Sequence, residues 1–119
     1  MKKLPAPAKP PNVPYYAVIF VSQRTEGDEG YAKTADRMLE LASQIPGFLG
    51  ADSTRNAEGF GITVSYWQDE RAIALWKEQG EHRLAQTMGK ERWYAGFSVH
   101  VAKVERAYHF AGDDHSAKK

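Results

Sequence analysis

Hydrophobic residues along the chain repeat in two ways, one typical of β-strands and one typical of α-helices. The stretch 15–21 is aromatic and β-branched and follows a proline, which predicts a strand that is apolar on both faces. The stretches 48–55 and 61–67 predict two more strands, joined by a turn at 56–59. In 61–67 and again in 97–101 apolar residues alternate with other residues, and 97–101 is predicted to be the last strand.

The first helix is predicted between the first and second strands. Residues 25–28 break the first strand and offer a helix N-cap, and Pro46-Gly47 is expected to end the helix. Between these points, apolar residues spaced three and four apart form one helix face, with charged residues opposite. The apolar face consists of Ala35, Met38, Leu39, Ala42 and Ile45.

A second helix is predicted after the third strand. Asp69 is a suitable N-cap, and Ala72, Ile73 and Trp76 follow with helical spacing. Gly80 interrupts or kinks the pattern, so this helix is expected in two pieces. The second piece has the apolar residues Leu84, Ala85 and Met88 and is expected to end at Gly89.

The order of these elements, β-α-β-β-α-β, predicts an α+β, ferredoxin-like fold with a four-stranded antiparallel sheet. After Ala102 the apolar pattern slips to Val104 and Tyr108, which predicts a β-bulge near 102–103. Two helices can cover only one face of such a sheet, yet the first strand is apolar on both faces. A second copy of the sheet would cover the other face, so we predict a homodimer that associates through the sheet face.

The two ends of the chain differ in composition from its middle. Five of the six prolines lie in residues 5–14, so residues 1–14 are predicted to form a flexible arm. The domain is expected to span 15–110, with a polar tail at 111–119. The chain has no cysteine, and no apolar stretch of the kind found in signal peptides follows its basic start. We therefore expect a cytoplasmic protein.

Charge and composition exclude several classes of partner. The formal net charge is only +1, which argues against binding to nucleic acid or to anionic membranes. No window approaches the roughly 18 consecutive apolar residues of a transmembrane helix. The group His109, Asp113, Asp114 and His115 matches no metal-binding motif, so we expect no bound metal.

A few residues could carry chemistry. His82 is the only histidine in the predicted helical region and could act as a general base toward a phenolic or enolic proton. The alternative is a partly exposed helix histidine or a dimer-interface residue. Trp76 is expected in the core, where it can also form the wall of a pocket for a flat aromatic ligand. The first strand ends in polar side chains able to hydrogen-bond an oxyanion or a carbonyl, those of Ser22, Gln23 and Arg24. Trp93-Tyr94 could close the pocket or the dimer seam.

Four stretches of the sequence resemble the antibiotic biosynthesis monooxygenase family: 46–50 (Pro-Gly-Phe-Leu-Gly), 61–67 (Gly-Ile-Thr-Val-Ser-Tyr-Trp), 72–77 (Ala-Ile-Ala-Leu-Trp-Lys) and 81–82 (Glu-His). The resemblance covers about residues 15–108 and implies a dimeric α+β barrel, with a reactive cavity in each subunit between sheet and helices. Some members of the family oxidise polyketide quinols and anthrones with dioxygen and no cofactor. Others degrade haem, and many have no known reaction.

The haem-degrading members use an asparagine on the first strand together with a tryptophan and a histidine in the second helical region. Trp76 matches that tryptophan, but Phe20 stands in place of the asparagine, and the histidine position falls nearer Gln86 than His82. The resemblance therefore favours a cofactor-independent monooxygenase acting on a small aromatic, polyphenol or quinol-type compound, with Phe20 and Gln86 lining the cavity. A non-catalytic dimeric ligand-binding protein, or a haem-binding or haem-degrading protein, is the alternative.

Overall fold

In a computed structural model, which describes residues 6–27, 30–79 and 87–110, a four-stranded antiparallel sheet carries helices on one face. The strand order across the sheet is β2-β3-β1-β4, and the predicted ferredoxin-like α+β fold is confirmed. A π-helical turn follows the second helix. In chain order the elements are β1 (Tyr15–Arg24), α1 (Tyr31–Ser43), β2 (Phe48–Arg55), β3 (Phe60–Trp67), α2 (Glu70–Lys77), the π-helical turn (Gly89–Trp93) and β4 (Tyr94–Val104).

The strand register decides which residues share a face of the sheet. On β1, Val18 pairs with Ser65 of β3 and with Val101 of β4, and directly paired residues point to the same side. Val18 packs in the core with residues of both helices, so this side is the helix face. Its neighbour Ile19 points to the opposite side, the outer face, because side chains alternate along a strand.

The core lies between the helices and the β2–β3 half of the helix face. Trp67 is its largest fully buried residue, with 0% of its surface exposed. Its ring contacts Phe48 and Trp76, and its Nε1 donates to Ser65 Oγ at 2.8 Å, so the only polar atom of the ring is satisfied. The other buried members of this cluster are Val18, Ala42, Ile45, Ala72 and Ile73.

Of the two predicted helix starts, one is confirmed and the other is wrong. α2 begins behind Asp69 as predicted, and the Asp69 carboxylate accepts the Ala72 N–H at 2.9 Å. The prediction of an N-cap at 25–28 is wrong, because α1 begins at Tyr31 behind Gly30, which is left-handed with φ 86°. Thr25 instead donates its backbone N–H to the Trp93 carbonyl.

Two predictions, one about β4 and one about the helical segment before it, are also wrong. The β1–β4 register runs unbroken through Ala102 and shifts only between Gln23 and Arg24, so the β-bulge is not near 102–103. The predicted slip counted Tyr108 as part of the strand, but β4 ends at Val104. Gly89 does not end the helical segment either, since the π-helical turn continues to Trp93.

Part of the N-terminal arm lies on the outer face. The Ala8 backbone N–H donates to Asp52 Oδ1 at 2.9 Å, and Pro10 is buried. The Tyr66 hydroxyl donates to the other Asp52 oxygen at 3.3 Å, which ties the arm to β2 and β3. Farther along β3, Ile62 on the same face remains 40% exposed, so the arm covers only one part of the outer face.

Candidate functional site

Within the described residues, α1 and α2 cover only one half of the helix face. α1 packs against β2 and α2 packs against β3, above the core. On β4, the helix-face residues Phe97, Val99 and Val101 remain 38%, 49% and 50% exposed. Phe20 of β1 pairs with Val99, and its ring lies 5.4 Å from the Phe97 ring. These three exposed residues and the partly buried Phe20 form an apolar surface that we call the open floor.

An arginine crosses the sheet at one end of the open floor. Arg55 of β2 pairs with Gly61 of β3, which pairs with Ser22 of β1. A Cβ at Gly61 would lie 2.7 Å from Arg55 Cζ, so the missing side chain lets the guanidinium pass over β3. Arg55 Nη2 donates to Ser22 Oγ at 2.8 Å, and Nη1 donates to the carbonyls of Ser22 (3.2 Å) and Gly59 (2.6 Å). The buried Ser22 hydroxyl therefore accepts a charge-assisted hydrogen bond.

Tyr31, the first residue of α1, lies beside this arginine. Its hydroxyl oxygen accepts hydrogen bonds from Arg55 Nη2 and from the Tyr94 hydroxyl, each at 3.2 Å. Its ring packs edge-to-face against Trp93 and Tyr94, and Arg24 Cζ lies 3.8 Å from the ring centroid. Two guanidinium groups thus converge on one tyrosine. We call Arg24, Tyr31, Arg55 and Tyr94 the arginine–tyrosine cluster.

Tyr94 connects the cluster to the open floor. Its ring centroid lies 5.3 Å from that of Phe20 and 5.9 Å from that of Phe97. Burial raises the pKa of the Tyr94 hydroxyl well above its ordinary value of 10.0, and the hydrogen bond to Tyr31 raises it further. The nearby guanidinium groups lower the pKa, but by less. Tyr94 is therefore a neutral hydrogen-bond donor at physiological pH.

The buried Trp93 forms the back of the cluster. Its backbone carbonyl accepts Arg24 Nε at 3.0 Å and the Thr25 N–H at 2.8 Å. These bonds tie the end of β1 to the π-helical turn and hold the Arg24 guanidinium over the Tyr31 ring. Among the residues predicted for the site, Phe20, Ser22 and Trp93 are thus brought to the same end of the helix face.

Other predicted residues lie elsewhere. Gln23 points to the outer face, where its Nε2 donates to the Glu58 carbonyl at 2.7 Å and stabilises the β2–β3 turn. It does not share a cavity with Ser22, because adjacent strand residues face opposite sides. Trp76 packs on Trp67 at 5.4 Å, over the covered half of the helix face. His82 and Gln86 lie outside the described residues.

Sequence reasoning missed two residues of the cluster: Tyr31 and Arg55. Arg55 stands at the end of a strand and Tyr31 at the start of a helix, where a polar or aromatic residue is ordinary. The only signal available was Gly61 within an otherwise regular strand, since a strand glycine often marks the close approach of another group. The strand register is needed to see that the approaching group is Arg55.

Three further features concern metal, haem and membrane binding. The described residues contain no group of three or more His, Cys, Asp or Glu side chains that could hold a metal ion. On the described part of the helix face there is neither a histidine nor the strand asparagine of the haem-degrading relatives, so these residues do not fit haem degradation. No helix within the described ranges is long and apolar enough to cross a bilayer.

The fold is that of an α+β protein with an exposed apolar surface beside its helices. A model of the antibiotic biosynthesis monooxygenase family matches residues 14–88, which is more than half of the chain. The chain therefore belongs to the antibiotic biosynthesis monooxygenase family, as the sequence motifs suggested.

Three proteins of known name are similar to the chain. The uncharacterized protein YqjZ of Bacillus subtilis (strain 168) is 52% identical over 99 residues, which is 83% of this chain and 87% of YqjZ. SnoaB from Streptomyces nogalater, described as a cofactor-independent oxygenase and solved as a mutant, matches with a TM-score of 0.68 at 10% identity, covering 78% of this chain and 95% of its own. Rv0793 from Mycobacterium tuberculosis matches with a TM-score of 0.67 at 15% identity, covering 79% and 99%. At these identities the two structures show the shared fold alone.

Proposed function

We propose that this protein is a cofactor-independent monooxygenase that oxidises a small aromatic, polyphenol or quinol-type compound with dioxygen. Family membership supports an oxygenase, and SnoaB, which shares the fold, is described as cofactor-independent. The observation that carries the proposal is the open floor, an exposed apolar surface that ends at two guanidinium groups on the same face of the sheet.

This arrangement suits a flat ring that carries an ionisable oxygen. The open floor can bury one face of the ring, and each Å² of apolar surface removed from water stabilises binding by about 25 cal/mol. The positive cluster at its end favours the phenolate or enolate over the neutral form, because an opposite charge stabilises the ionised state. Such an anion is the form of the substrate that gives up an electron most readily.

The reaction follows from that anion. A base removes a proton from the substrate, and the resulting anion passes one electron to dioxygen. The substrate radical and superoxide then join through a new C–O bond, and the resulting peroxide anion takes the proton back from the base. Its O–O bond then breaks as the same carbon loses its remaining hydrogen, which releases water and leaves a carbonyl group. One methylene group and one dioxygen molecule thus become one carbonyl group and one water molecule, so the substrate supplies every electron. The protein contributes position, exclusion of water and stabilisation of the anion.

His82 is the proposed base, with Gln86 as a further residue of the cavity wall. Among the described histidines, His100 pairs with Ile19 and so lies on the outer face, away from the open floor. In the sequence, His82 lies between α2 and the π-helical turn. A neutral imidazole has the pKa that this proton transfer requires near neutrality.

We further propose that the protein is a homodimer through the outer face, where Phe60 and Ile62 are exposed beyond the arm. Replacing Ile62 by Lys should shift the mass in sedimentation experiments from dimer to monomer, because a charge would be buried at the interface. Leu39→Lys, on the exposed side of α1, is the control and should leave the mass unchanged. A monomeric wild-type protein at micromolar concentration would contradict the dimer.

The test of the function is oxygen uptake with a panel of quinols, anthrones and naphthols. Metal and flavin are left out, and product mass is measured after reaction with isotopically labelled dioxygen. We expect one labelled oxygen atom in the product and a fall in turnover of about 100-fold or more in His82→Ala. His109→Ala, which changes an exposed histidine beyond β4, is the matched control and should react like the wild type.

Two results would contradict the proposal. If the panel binds but consumes no oxygen, the protein is a non-catalytic ligand-binding protein. If turnover requires added hemin, the haem alternative holds. Undiminished turnover in His82→Ala would remove His82 as the base while leaving the oxygenase function in place.

A further inference from the structure

The Tyr31 hydroxyl has a hydrogen-bonding pattern that leaves its proton available. A tyrosine hydroxyl has one proton and can accept through its lone pairs. The Tyr31 oxygen accepts from Arg55 Nη2 and from the Tyr94 hydroxyl, so both neighbours act as donors toward it. Among the described residues no group accepts the Tyr31 proton. A donor whose oxygen is already occupied in this way is ready to donate to a ligand oxygen.

Arg55 cannot serve a ligand in the same way. Its Nη1 donates to two backbone carbonyls, and its Nη2 donates to Ser22 Oγ and to Tyr31. Four of its five N–H groups are therefore committed within the protein. Its positive charge instead acts through the Tyr31 oxygen, because a hydrogen bond from a cation polarises the hydroxyl and makes its own proton a stronger donor.

The remaining neighbours strengthen this effect. The Arg24 guanidinium lies 3.8 Å from the centroid of the Tyr31 ring, and bonds to the Trp93 and Gly27 carbonyls hold it there. Tyr94 keeps its proton because burial raises its pKa, so it remains a donor to Tyr31 and does not compete as an acceptor. The site therefore presents one proton in a positive field.

We infer that the Tyr31 hydroxyl is the donor that binds the oxyanion of a phenolate or enolate ligand, with Arg55 as its positioning residue. The inference rests on the proposed function, whose substrate class it narrows to compounds that bind as anions. The Tyr94 ring contacts Tyr31 as well as the Phe20 and Phe97 rings, so the cluster that holds this donor adjoins the open floor.

The experiment measures binding of 4-nitrophenol, whose absorbance distinguishes phenol from phenolate, as a function of pH. We expect the wild type to bind the phenolate and to lower the pKa of the bound probe. Tyr31→Phe keeps the ring contacts and removes only the hydroxyl, so it should bind the phenolate about tenfold more weakly. Binding of neutral nitrobenzene should change by less than about twofold, since no hydrogen bond to it is lost.

Two further variants separate a positioning role from a structural one. Arg55→Gln should raise the pKa of bound 4-nitrophenol relative to the wild type while leaving nitrobenzene binding unchanged. Tyr108→Phe removes the hydroxyl of a tyrosine that is 93% exposed and should match the wild type in every respect. Circular dichroism and thermal unfolding establish that each variant is folded.

The inference is overturned if Tyr31→Phe binds 4-nitrophenolate as tightly as the wild type, or if the wild type binds none at millimolar concentration. These measurements need no turnover, so they stand apart from the oxygen-uptake test. Phenolate binding that depends on Tyr31, without oxygen uptake, would remove the proposed function alone. Oxygen uptake that is unchanged in Tyr31→Phe would remove this inference alone.

Discussion

The helix face of the sheet has two halves that are built differently from similar strands. Over β2 and β3 the helices close on Trp67, which is fully buried between Phe48 and Trp76. Over β4 and the adjoining Phe20 of β1 the helix-face residues Phe97, Val99 and Val101 are apolar as well, yet Val99 is about half exposed. A charged cluster borders the second half, whereas the first half is built from apolar contacts around Trp67, whose Nε1 donates to Ser65.

Within one face of the sheet, the covered half stabilises the fold and the open half is available for binding. Apolar side chains that are covered stabilise the fold. Those that are exposed still have apolar surface that a ligand can remove from water, which would stabilise binding. The neighbouring Arg55 and Tyr31 give that molecule a chemical character, because a positive field beside an apolar surface selects an aromatic anion. Substitutions in the two halves should therefore differ in kind as well as in size.

The largest effect is expected in the closed half. Trp67→Ala should reduce the free energy of unfolding by about 3–5 kcal/mol, because it leaves a cavity between three packed elements. Phe97→Ala is the matched change in the open half and should cost about 1 kcal/mol, since part of that ring is already in water. Urea unfolding measures both. Equal losses at the two positions would mean that the halves do not differ.

Glycines on the sheet allow a second comparison. At Gly61 an added Cβ would lie 2.7 Å from Arg55 Cζ and 2.9 Å from the Thr54 carbonyl oxygen, so Gly61→Ala should destabilise by about 1–3 kcal/mol and displace the guanidinium. At Gly96 nothing lies within 4 Å of the added atom. Gly96→Ala in β4 should therefore change the urea midpoint little, and a loss there as large as at Gly61 would refute the close-approach explanation.

A smaller effect is expected at the start of α2, which supports the closed half. Asp69→Ala removes the acceptor of the Ala72 N–H and should lower the free energy of unfolding by about 1 kcal/mol. Asp69→Asn keeps a capping oxygen and should lose much less. Thermal unfolding of both variants checks this, and an identical loss for Ala and Asn would show that the cap is not the cause.

The smallest effect depends on pH and belongs to the open half. Because the pKa of Tyr94 is raised in the folded state, its contribution to stability is complete below the ordinary tyrosine value of 10.0 and declines as the pH rises above it. Above that pH the unfolded chain releases the proton while the folded chain retains it. Tyr94→Phe should therefore unfold with a weaker dependence on alkaline pH than the wild type.

The stability of Tyr94→Phe should still depend on alkaline pH, and the source of this remaining dependence is Tyr66. Burial and the Asp52 carboxylate raise the pKa of Tyr66 on the outer face, so part of the alkaline slope should persist. Urea midpoints measured on both sides of pH 10 check the comparison. Identical slopes in the wild type and Tyr94→Phe would contradict the assignment of Tyr94.

Much of the fold was predictable because its signals are local. Alternation at 61–67 and the three-and-four spacing around Trp76 depend only on neighbouring residues, and they predicted β3 and α2 correctly. The β-bulge was misplaced because Tyr108 looked like a strand residue, whereas it lies beyond the end of β4. Strand ends depend on pairing partners, which local pattern does not specify.

The candidate site was less predictable because it is assembled across three strands. Phe20 and Ser22 could be found from the end of one strand and from a family resemblance. Arg55 reaches Ser22 because the residue between them in the sheet is Gly61, which has no side chain. Tyr31 joins them because α1 begins at Tyr31, six residues after Thr25, where the predicted N-cap region starts. Register and helix start had to be known before these side chains could be connected.

The central claim is that the open half of the helix face binds an aromatic ligand and the closed half does not. Methyl NMR spectra of the full chain, recorded while 1-naphthol is added, test this most directly. The account predicts chemical-shift changes at Val99 and Val101 with little change at Ile45 and Ile73, which are buried in the closed half. Changes confined to Ile45 and Ile73, or no changes at saturating naphthol, would contradict it.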